Sequence, residues 1–273
     1  MKSKKRNLYL LEIVGIVLGL IWLSPFYLMI VNSFKTKREI FTDTLKLPDV
    51  FTFDNYVQAF EELDFIRTFF NSVLITVLGV AVIVLFSSMA AYALNRRKGK
   101  ISGLIFFLFI AAMLIPFQSV MIPLVSLFGK FDLLNRFGII FMYLGFGSSL
   151  SIFLYHGSLQ GISKSLDEAA TIDGANRWQI FWHIIFPMLK PISVTVAILN
   201  IIWIWNDYLL PSLVINQEGM HTIPLKMFFF FGQYTKQWHL ALAGLTIAII
   251  PVILVYFFMQ KHIIKGIAEG SVK

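Results

Sequence analysis

Six long apolar runs constrain this chain more than any other feature of its sequence. A helix rises about 1.5 Å per residue, so it needs about 20 apolar residues to cross the hydrocarbon core of a bilayer. Runs of that kind cover residues 8–31, 69–94, 101–128, 137–155, 184–210 and 241–259. The chain is 58% apolar and only 14% charged, whereas a soluble domain is about 25% charged. We therefore expect an all-α, polytopic membrane protein in which residues 1–273 form a single domain with six transmembrane helices.

Basic residues indicate how the predicted spans are oriented. Lys and Arg gather in short cytoplasmic loops, and the tight turn after the second run holds Arg96, Arg97, Lys98 and Lys100. This orientation explains the net charge of +8 better than nucleic-acid binding does. The first run is too long for the apolar core of a signal peptide, so we interpret it as a retained anchor. We expect a multi-pass protein of the plasma or inner membrane with both termini in the cytoplasm.

Several kinds of chemistry are not expected from this sequence. The chain has no cysteine, which excludes disulfides and thiolate sites. Its two Gly-Lys pairs, at Gly99 and Gly129, lack the other residues of a phosphate-binding loop. The five histidines show no metal-ligand spacing. We therefore expect no enzyme activity, no metal site and no cofactor on this chain.

The loop between the fourth and fifth runs, residues 160–183, is the most informative segment. Ser165 and Glu168 have the spacing of a capping box, which predicts a short helix that begins at Ser165. Gly174 permits either a sharp turn or the close approach of another backbone, and the stretch that starts at Arg177 predicts a second short helix. Two prolines, Pro187 and Pro191, then restart the chain as the fifth span.

Small residues on this loop have two interpretations. We expect Ala169, Ala170 and Ala175 to be exposed, where they would fit a groove of another protein with little steric hindrance. From physical arguments alone, the helix could equally lie in the lipid headgroups.

The loop resembles the EAA motif of ABC importer permease subunits. The residues that carry the resemblance are Glu168, Ala169, Ala170, Asp173, Gly174, Ala175, Phe181, Ile184, Pro187 and Pro191, with Phe186 where Leu is commoner. Further blocks resemble the same family in the expected order: Asn32-Ser33-Phe34-Lys35, Asn55-Tyr56, Asn71-Ser72, Ala90-Ala91-Tyr92-Ala93-Leu94, Ile122-Pro123-Leu124, Trp205-Asn206-Asp207 and Lys265-Gly266. Together they cover essentially the whole chain and look most like the carbohydrate-uptake branch, the maltose-transporter type.

The resemblance implies a function as half of a pore. It implies the transmembrane domain of a type I ABC importer, which takes up a sugar or oligosaccharide delivered by an extracellular solute-binding protein. A second homologous permease would complete the pore, and a separate ATPase dimer would bind ATP and Mg²⁺. The EAA loop would form a cytoplasmic coupling helix seated in the ATPase, and the basic tail, 265–273, would reach toward it. The residues implied for this contact are Glu168, Ala169, Ala170, Asp173, Gly174 and Ala175.

Polar residues within the spans suggest where a sugar passes. Asn200, Trp203 and Asp207 are three and four residues apart, so we expect them to share one helix face. An indole beside amide and carboxylate groups suits a sugar, although Trp203 and Asp207 also fit an aromatic belt with a solvated helix end. Gln118 in the third run is a second candidate for the path.

Two loops are longer than a simple connection requires. In 32–68 we expect a small extracellular helix at about 55–63. In 211–240, the block 228–231 fits an interfacial or partly re-entrant helix, or an aromatic belt, which we prefer. The resemblance places a contact with the binding protein in this second loop, at Asn216, Gln217, Glu218 and Gly219.

Two alternatives to this interpretation remain. A stand-alone secondary transporter would be expected to show inverted repeats and discontinuous spans in matching positions. Within the ABC class, a polyol or glycerophosphate importer permease is the other alternative. A bound phosphate would favour Lys or Arg inside the cavity, and the predicted span interiors carry none, so a neutral sugar is preferred.

Overall fold

The computed structural model describes residues 2–97, 99–232 and 236–271, with side chains for all of these except 2–8, 10, 255, 256 and 258–271. Its helices are α1 (Lys2–Ser33), α2 (Lys37–Thr42), α3 (Asp54–Glu62), α4 (Phe65–Arg96), α5 (Lys100–Ala112), α6 (Phe117–Lys130), α7 (Arg136–Leu159), α8 (Ser165–Ile172), α9 (Arg177–Ile180), α10 (Phe186–Met188), α11 (Lys190–Asn206), α12 (Leu209–Val214), α13 (Ile223–Met227) and α14 (Trp238–Ser271). A π-helix, Phe181–Ile185, joins α9 to α10, and a 3₁₀ helix, Phe228–Phe230, follows α13. The described residues form no strand beyond one isolated bridge, so the predicted all-α class is confirmed.

Three segments are long and apolar enough to cross a bilayer, namely Leu11–Ser33 within α1, all of α4 and all of α7. Two further candidates are bent pairs: α5 with α6, at 104°, and Arg177–Met188 with α11, at 75°. A shorter apolar stretch, Trp238–Leu254, lies in α14. The described residues thus give up to five crossings by length and composition, and the single domain with six spans stays a prediction.

The surface of α1 is apolar around its circumference. No residue in its most hydrophobic window is buried, and Trp22 is 79% exposed. A helix that exposes apolar side chains on every face is stable in lipid rather than in water. The chain is therefore an integral membrane protein. The side chains of the basic tail, 265–273, lie outside the described residues, and the cytoplasmic location of both termini stays a prediction.

Two compact units can be distinguished along the chain, and the first contains the residues up to Phe65 with Lys226–Leu254. In it, Asn55 joins α3 to the end of α1, because its side-chain amide donates to the backbone oxygens of Ser33 and Lys35, both at 2.8 Å. The hydroxyls of Ser33 and Tyr56 are also hydrogen-bonded, at 2.5 Å. The small helix predicted at 55–63 is confirmed as α3.

The second unit comprises Ile66–Leu225 and the chain from Val255 onward. Its apolar core has two clusters, one around Tyr143 and one around Tyr155, both fully buried. The helices approach closely at Gly147 of α7, where an added Cβ would lie 2.5 Å from Cδ1 of Ile83 in α4. The cluster around Tyr155 continues into α8 and the π-helix, so the 160–183 loop is held directly against the helical core.

Candidate coupling loop and solute path

Helix α8 begins at Ser165 as predicted, but the predicted capping box is not formed there. The Ser165 hydroxyl is hydrogen-bonded to Ser163 at 2.7 Å, and α8 has no side-chain cap. Ser165 is already the first helical residue, so its side chain is not in the position of a cap. The predicted capping box of Ser165 with Glu168 is therefore wrong.

A capping box does occur eleven residues later, at the start of α9. The Asn176 side-chain oxygen accepts from the backbone N–H groups of Trp178 and Gln179, at 3.1 and 3.0 Å. In return, the Gln179 side chain accepts from the Asn176 N–H at 2.8 Å. This reciprocal pair fixes the start of α9, which confirms the predicted second short helix.

Between the two helices the chain turns at Gly174. Its φ of +87° is a left-handed conformation that side chains disfavour. An added Cβ would meet nothing within 4 Å. Glycine is therefore required here by backbone conformation rather than by lack of space, as the sequence predicted.

The six predicted coupling residues are not equally accessible. Glu168, Ala169, Asp173 and Gly174 are exposed, and Ala175 is half-buried. Ala170 is 7% exposed and packs in the cluster around Tyr155, so the expectation that it is exposed for docking is wrong. Its side of α8 faces the core, which leaves the opposite side for a partner.

Two apolar residues of this loop were not selected from the sequence. Ile172 at the end of α8 is 86% exposed, and Trp178 in α9 is 59% exposed. Large apolar side chains on a helix that otherwise packs on its core are typical of an interaction surface.

An ion pair joins α8 to the C-terminal end of α4. The Asp167 carboxylate accepts a hydrogen bond from the Tyr92 hydroxyl and lies 2.9 Å from Nη2 of Arg96. Nη1 of Arg96 also donates to the Ile162 backbone oxygen at 3.3 Å. Both charged side chains are largely buried, with 13% and 17% exposed. We call Tyr92, Arg96 and Asp167 the inner cluster.

At the other end of α11, Asp207 lies one residue beyond the helix. Its backbone is extended, so the helix face predicted for Asn200, Trp203 and Asp207 does not include Asp207. Its carboxylate accepts from the Tyr143 hydroxyl at 2.9 Å and from the Leu209 N–H at 3.0 Å. Asp207 thus connects α7 to the start of α12.

The other candidates for the solute path have different surroundings. Asn200 is 6% exposed, and its amide donates to Ser151 at 3.2 Å and to the Val196 oxygen at 2.8 Å. Trp203 is 38% exposed, and its ring meets that of Tyr143 edge-on at 5.3 Å. Gln118 is exposed in the first turn of α6. Of the four, Trp203 and Gln118 therefore present the most accessible surface.

The turn after α12 is held through its backbone. The Gly219 oxygen accepts from the Asn71 amide at 3.0 Å and from Nη2 of Arg136 at 2.9 Å. The same amide donates to the His221 oxygen at 3.0 Å, and the Ile223 N–H donates to Ser72. We call Asn71, Ser72 and Arg136 the outer cluster. The side chains of the three residues before Gly219 remain exposed: Asn216, Gln217 and Glu218.

Known proteins resemble the chain over most of its length. Residues 83–269 match the family described as the binding-protein-dependent transport system inner membrane component. The chain is 58% identical, over 97% of each protein, to the probable starch degradation products transport system permease protein AmyC of Thermoanaerobacterium thermosulfurigenes. It is 37% identical to the multiple sugar-binding transport system permease protein MsmG of Streptococcus mutans, covering 100% of this chain and 99% of MsmG.

A solved structure has the same architecture. It is the crystal structure of a bacterial ABC transporter involved in the import of the acidic polysaccharide alginate. The TM-score is 0.74 at 25% identity, with 92% of this chain and 95% of that chain covered. This chain therefore belongs to the family of binding-protein-dependent transport system inner membrane components, which confirms the family predicted from the EAA motif.

Proposed function

We propose that this chain is a permease subunit of an ATP-driven ABC importer that takes up a sugar or oligosaccharide. The observation that carries this proposal is the 58% identity, over 97% of both chains, to a permease described for starch degradation products. At this identity the solute class is expected to be shared, so we propose neutral oligosaccharides such as the products of starch hydrolysis. A polyol or glycerophosphate is the alternative solute within the same class of transporter.

The partner that supplies energy docks on the exposed side of the 160–183 loop. Glu168, Ala169 and Asp173 provide polar and small groups there, and Ile172 and Trp178 add exposed apolar surface. The partner is a separate ATPase dimer that holds ATP and Mg²⁺. In this assignment the loop and both termini lie in the cytoplasm, as the basic residues at Arg96, Arg97, Lys98 and Lys100 favour.

The pore is completed by a second, homologous permease, and an extracellular binding protein delivers the sugar. Trp203 is our preferred contact for the sugar ring, because an accessible indole face suits the apolar face of a pyranose. Asn216, Gln217 and Glu218 present exposed polar side chains to the binding protein.

The test is uptake by the purified assembly in proteoliposomes. The chain is tagged and isolated with its companions, which are identified by mass spectrometry, and a co-encoded binding protein is added. We expect labelled malto-oligosaccharides to accumulate only when ATP is present on the side of the ATPase. Accumulation without any ATPase, driven by an ion gradient, would instead make the chain a secondary transporter. Accumulation of a labelled polyol or glycerophosphate, and of no sugar, would overturn the proposal that the solute is a sugar.

A further inference from the structure

The coupling helix α8 is too short to hold its position alone. It has eight residues, and isolated helices below about 12–15 residues are marginal in water. Its position must therefore come from tertiary contacts. Ala170 supplies an apolar contact, and Asp167 supplies the polar one, through the inner cluster.

Several polar contacts at this end of the loop lead to α4. Arg96 binds on both sides of the helix start, at Asp167 and at the Ile162 oxygen. In the opposite direction, the Lys164 ammonium donates to the Asn95 oxygen at 3.3 Å. An Arg that pairs with a carboxylate and is also hydrogen-bonded forms one of the stronger polar contacts in proteins. The last turn of α4 and the first turn of α8 are thus joined by several bonds at once.

Helix α4 can carry a displacement over its full length. It has 32 residues without a break, which corresponds to about 48 Å, and its sequence has no proline. The candidate membrane span that begins in the loop, Arg177–Met188 with α11, is instead bent by 75°. Sharp kinks often occur at proline, and α4 lacks this feature.

The opposite end of α4 carries two residues of the outer cluster. Asn71 and Ser72 lie about 30 Å from Tyr92 along the helix axis, and they hold the backbone of residues 219–223. A shift of α4 is therefore transmitted to this turn through hydrogen bonds to main-chain atoms.

From this arrangement we infer that the inner cluster makes α8 and α4 one moving body, through which the ATPase controls the turn at 219–223. Tyr92 and Arg96 are positioning residues in this mechanism, since they act through Asp167 and touch neither ATP nor sugar. The inference rests on the proposed function and deepens it, because it names the route between the coupling loop and the side that faces the binding protein. Such a mechanism requires that the ATP-bound ATPase bind more tightly to one of the two positions of this body than to the other.

The experiment compares three variants in the full assembly: Asp167→Asn, Arg96→Gln and Tyr92→Phe. The matched control is Arg97→Gln, which removes the same charge one residue further on, from an exposed side chain. ATP hydrolysed per sugar imported is measured in proteoliposomes. We expect this ratio to rise roughly fivefold or more in Asp167→Asn and Arg96→Gln, to rise less in Tyr92→Phe, and to stay unchanged in Arg97→Gln.

A second measurement separates positioning from mere stability. The chain lacks cysteine, so a single Gln217→Cys substitution gives one labelling site on the outer turn. We expect ATP to change the rate at which a maleimide labels this cysteine in the otherwise unchanged chain. Combined with Asp167→Asn, the ATP-dependent change should disappear while basal ATPase activity and assembly persist. An unaltered response would overturn the inference.

A double variant gives the final criterion. If Asp167 and Arg96 act through each other, Asp167→Asn with Arg96→Gln should be no worse than either single change. Additive effects would contradict the inference. Failure of the proposed function is distinguishable, because the unsubstituted assembly would then show no ATP-dependent uptake at all.

Discussion

The ammonium of Lys35 lies 3.0 Å from the side-chain oxygen of Asn32, in a site where the lysine is 1% exposed. The same nitrogen donates to the backbone oxygens of Asp43 at 2.8 Å and Thr44 at 3.3 Å. An ammonium has three donors, so each has an acceptor here. Burial of a charge is tolerated when it is bonded in this way, and Lys35 consequently joins the loop after α2 to the end of α1.

Replacing this lysine should destabilise the first compact unit. In Lys35→Met the Asn32 and Asp43 oxygens lose this donor, while the Thr44 oxygen keeps the hydrogen bond from the Asn32 amide at 3.0 Å. We expect the loss to cost about 1–3 kcal/mol. The unfolding temperature of the purified protein measures the effect. Lys46→Met is the control, since Lys46 forms only an exposed ion pair with Asp49 and such pairs add little. Equal unfolding temperatures for both variants would contradict the role given to Lys35.

Two glycines of α7 provide a matched test of helix packing. At Gly147 an added methyl group would lie 2.5 Å from Ile83 and 2.8 Å from the Asn200 oxygen, whereas at Gly145 it would meet nothing within 4 Å. We expect Gly147→Ala to cost about 1–3 kcal/mol through overpacking. Gly145→Ala should leave the unfolding temperature unchanged or raise it. A stable Gly147→Ala protein with normal transport would show that α4, α7 and α11 do not approach this closely.

The turn at Gly174 predicts an effect on coupling rather than on membrane insertion. Gly174→Ala adds only a methyl group, but at a φ of +87° this side chain costs about 1–2 kcal/mol. We expect more ATP to be hydrolysed per sugar imported. Gly174→Asn should be milder, because asparagine adopts this conformation more readily.

The control for Gly174 is Gly157→Ala within α7. An added Cβ at Gly157 also meets nothing within 4 Å, so the two sites differ in backbone conformation and not in space. If both alanine variants couple ATP to transport equally well, the left-handed turn is not what the loop requires.

Trp203 and Asp207 should separate in their effects on transport. Asp207→Ala removes the hydrogen bonds from the Tyr143 hydroxyl and the Leu209 N–H, at a cost of about 1 kcal/mol in stability, and should leave the KM for sugar near its original value. Trp203→Ala should raise that KM about fivefold, as expected when a contact of about 1 kcal/mol is lost. Uptake rates over a range of sugar concentrations provide the comparison. The opposite pattern would assign the sugar contact to Asp207 instead.

Hydropathy and motif order were sufficient for the all-α membrane class, the family, helix α3 and the Gly174 turn. Each of these depends on local spacing or on a long apolar run. The bend between α5 and α6 was missed because the mean hydropathy of the run 101–128 does not report an interruption. Pro116, directly before α6, is the local signal that could have indicated it. The capping box predicted at Ser165 does not form because Ser165 is already the first helical residue, which only the backbone conformation shows.

The contacts of Asp167 could not be obtained from the sequence. Tyr92 is 75 positions away from it, and a single sequence contains no signal for such a pairing. The sequence also could not predict which side of α8 carries Ala170. This helix is only two turns long, and its core-facing side is set by the cluster around Tyr155. Features that depend on distant segments thus required the three-dimensional arrangement.

In the part of the chain that the structure describes, the hydrogen bonds of the outer cluster to the turn at 219–223 go to main-chain atoms, namely the oxygens of Gly219 and His221 and the N–H of Ile223. The frame of this turn is therefore independent of which side chains precede Gly219. New residues can replace Asn216, Gln217 and Glu218 without loss of that frame, much as variable residues are exchanged on a fixed antibody scaffold. With the binding-protein contact proposed for these residues, a transporter built in this way can change the delivery protein that it accepts while its helices remain the same.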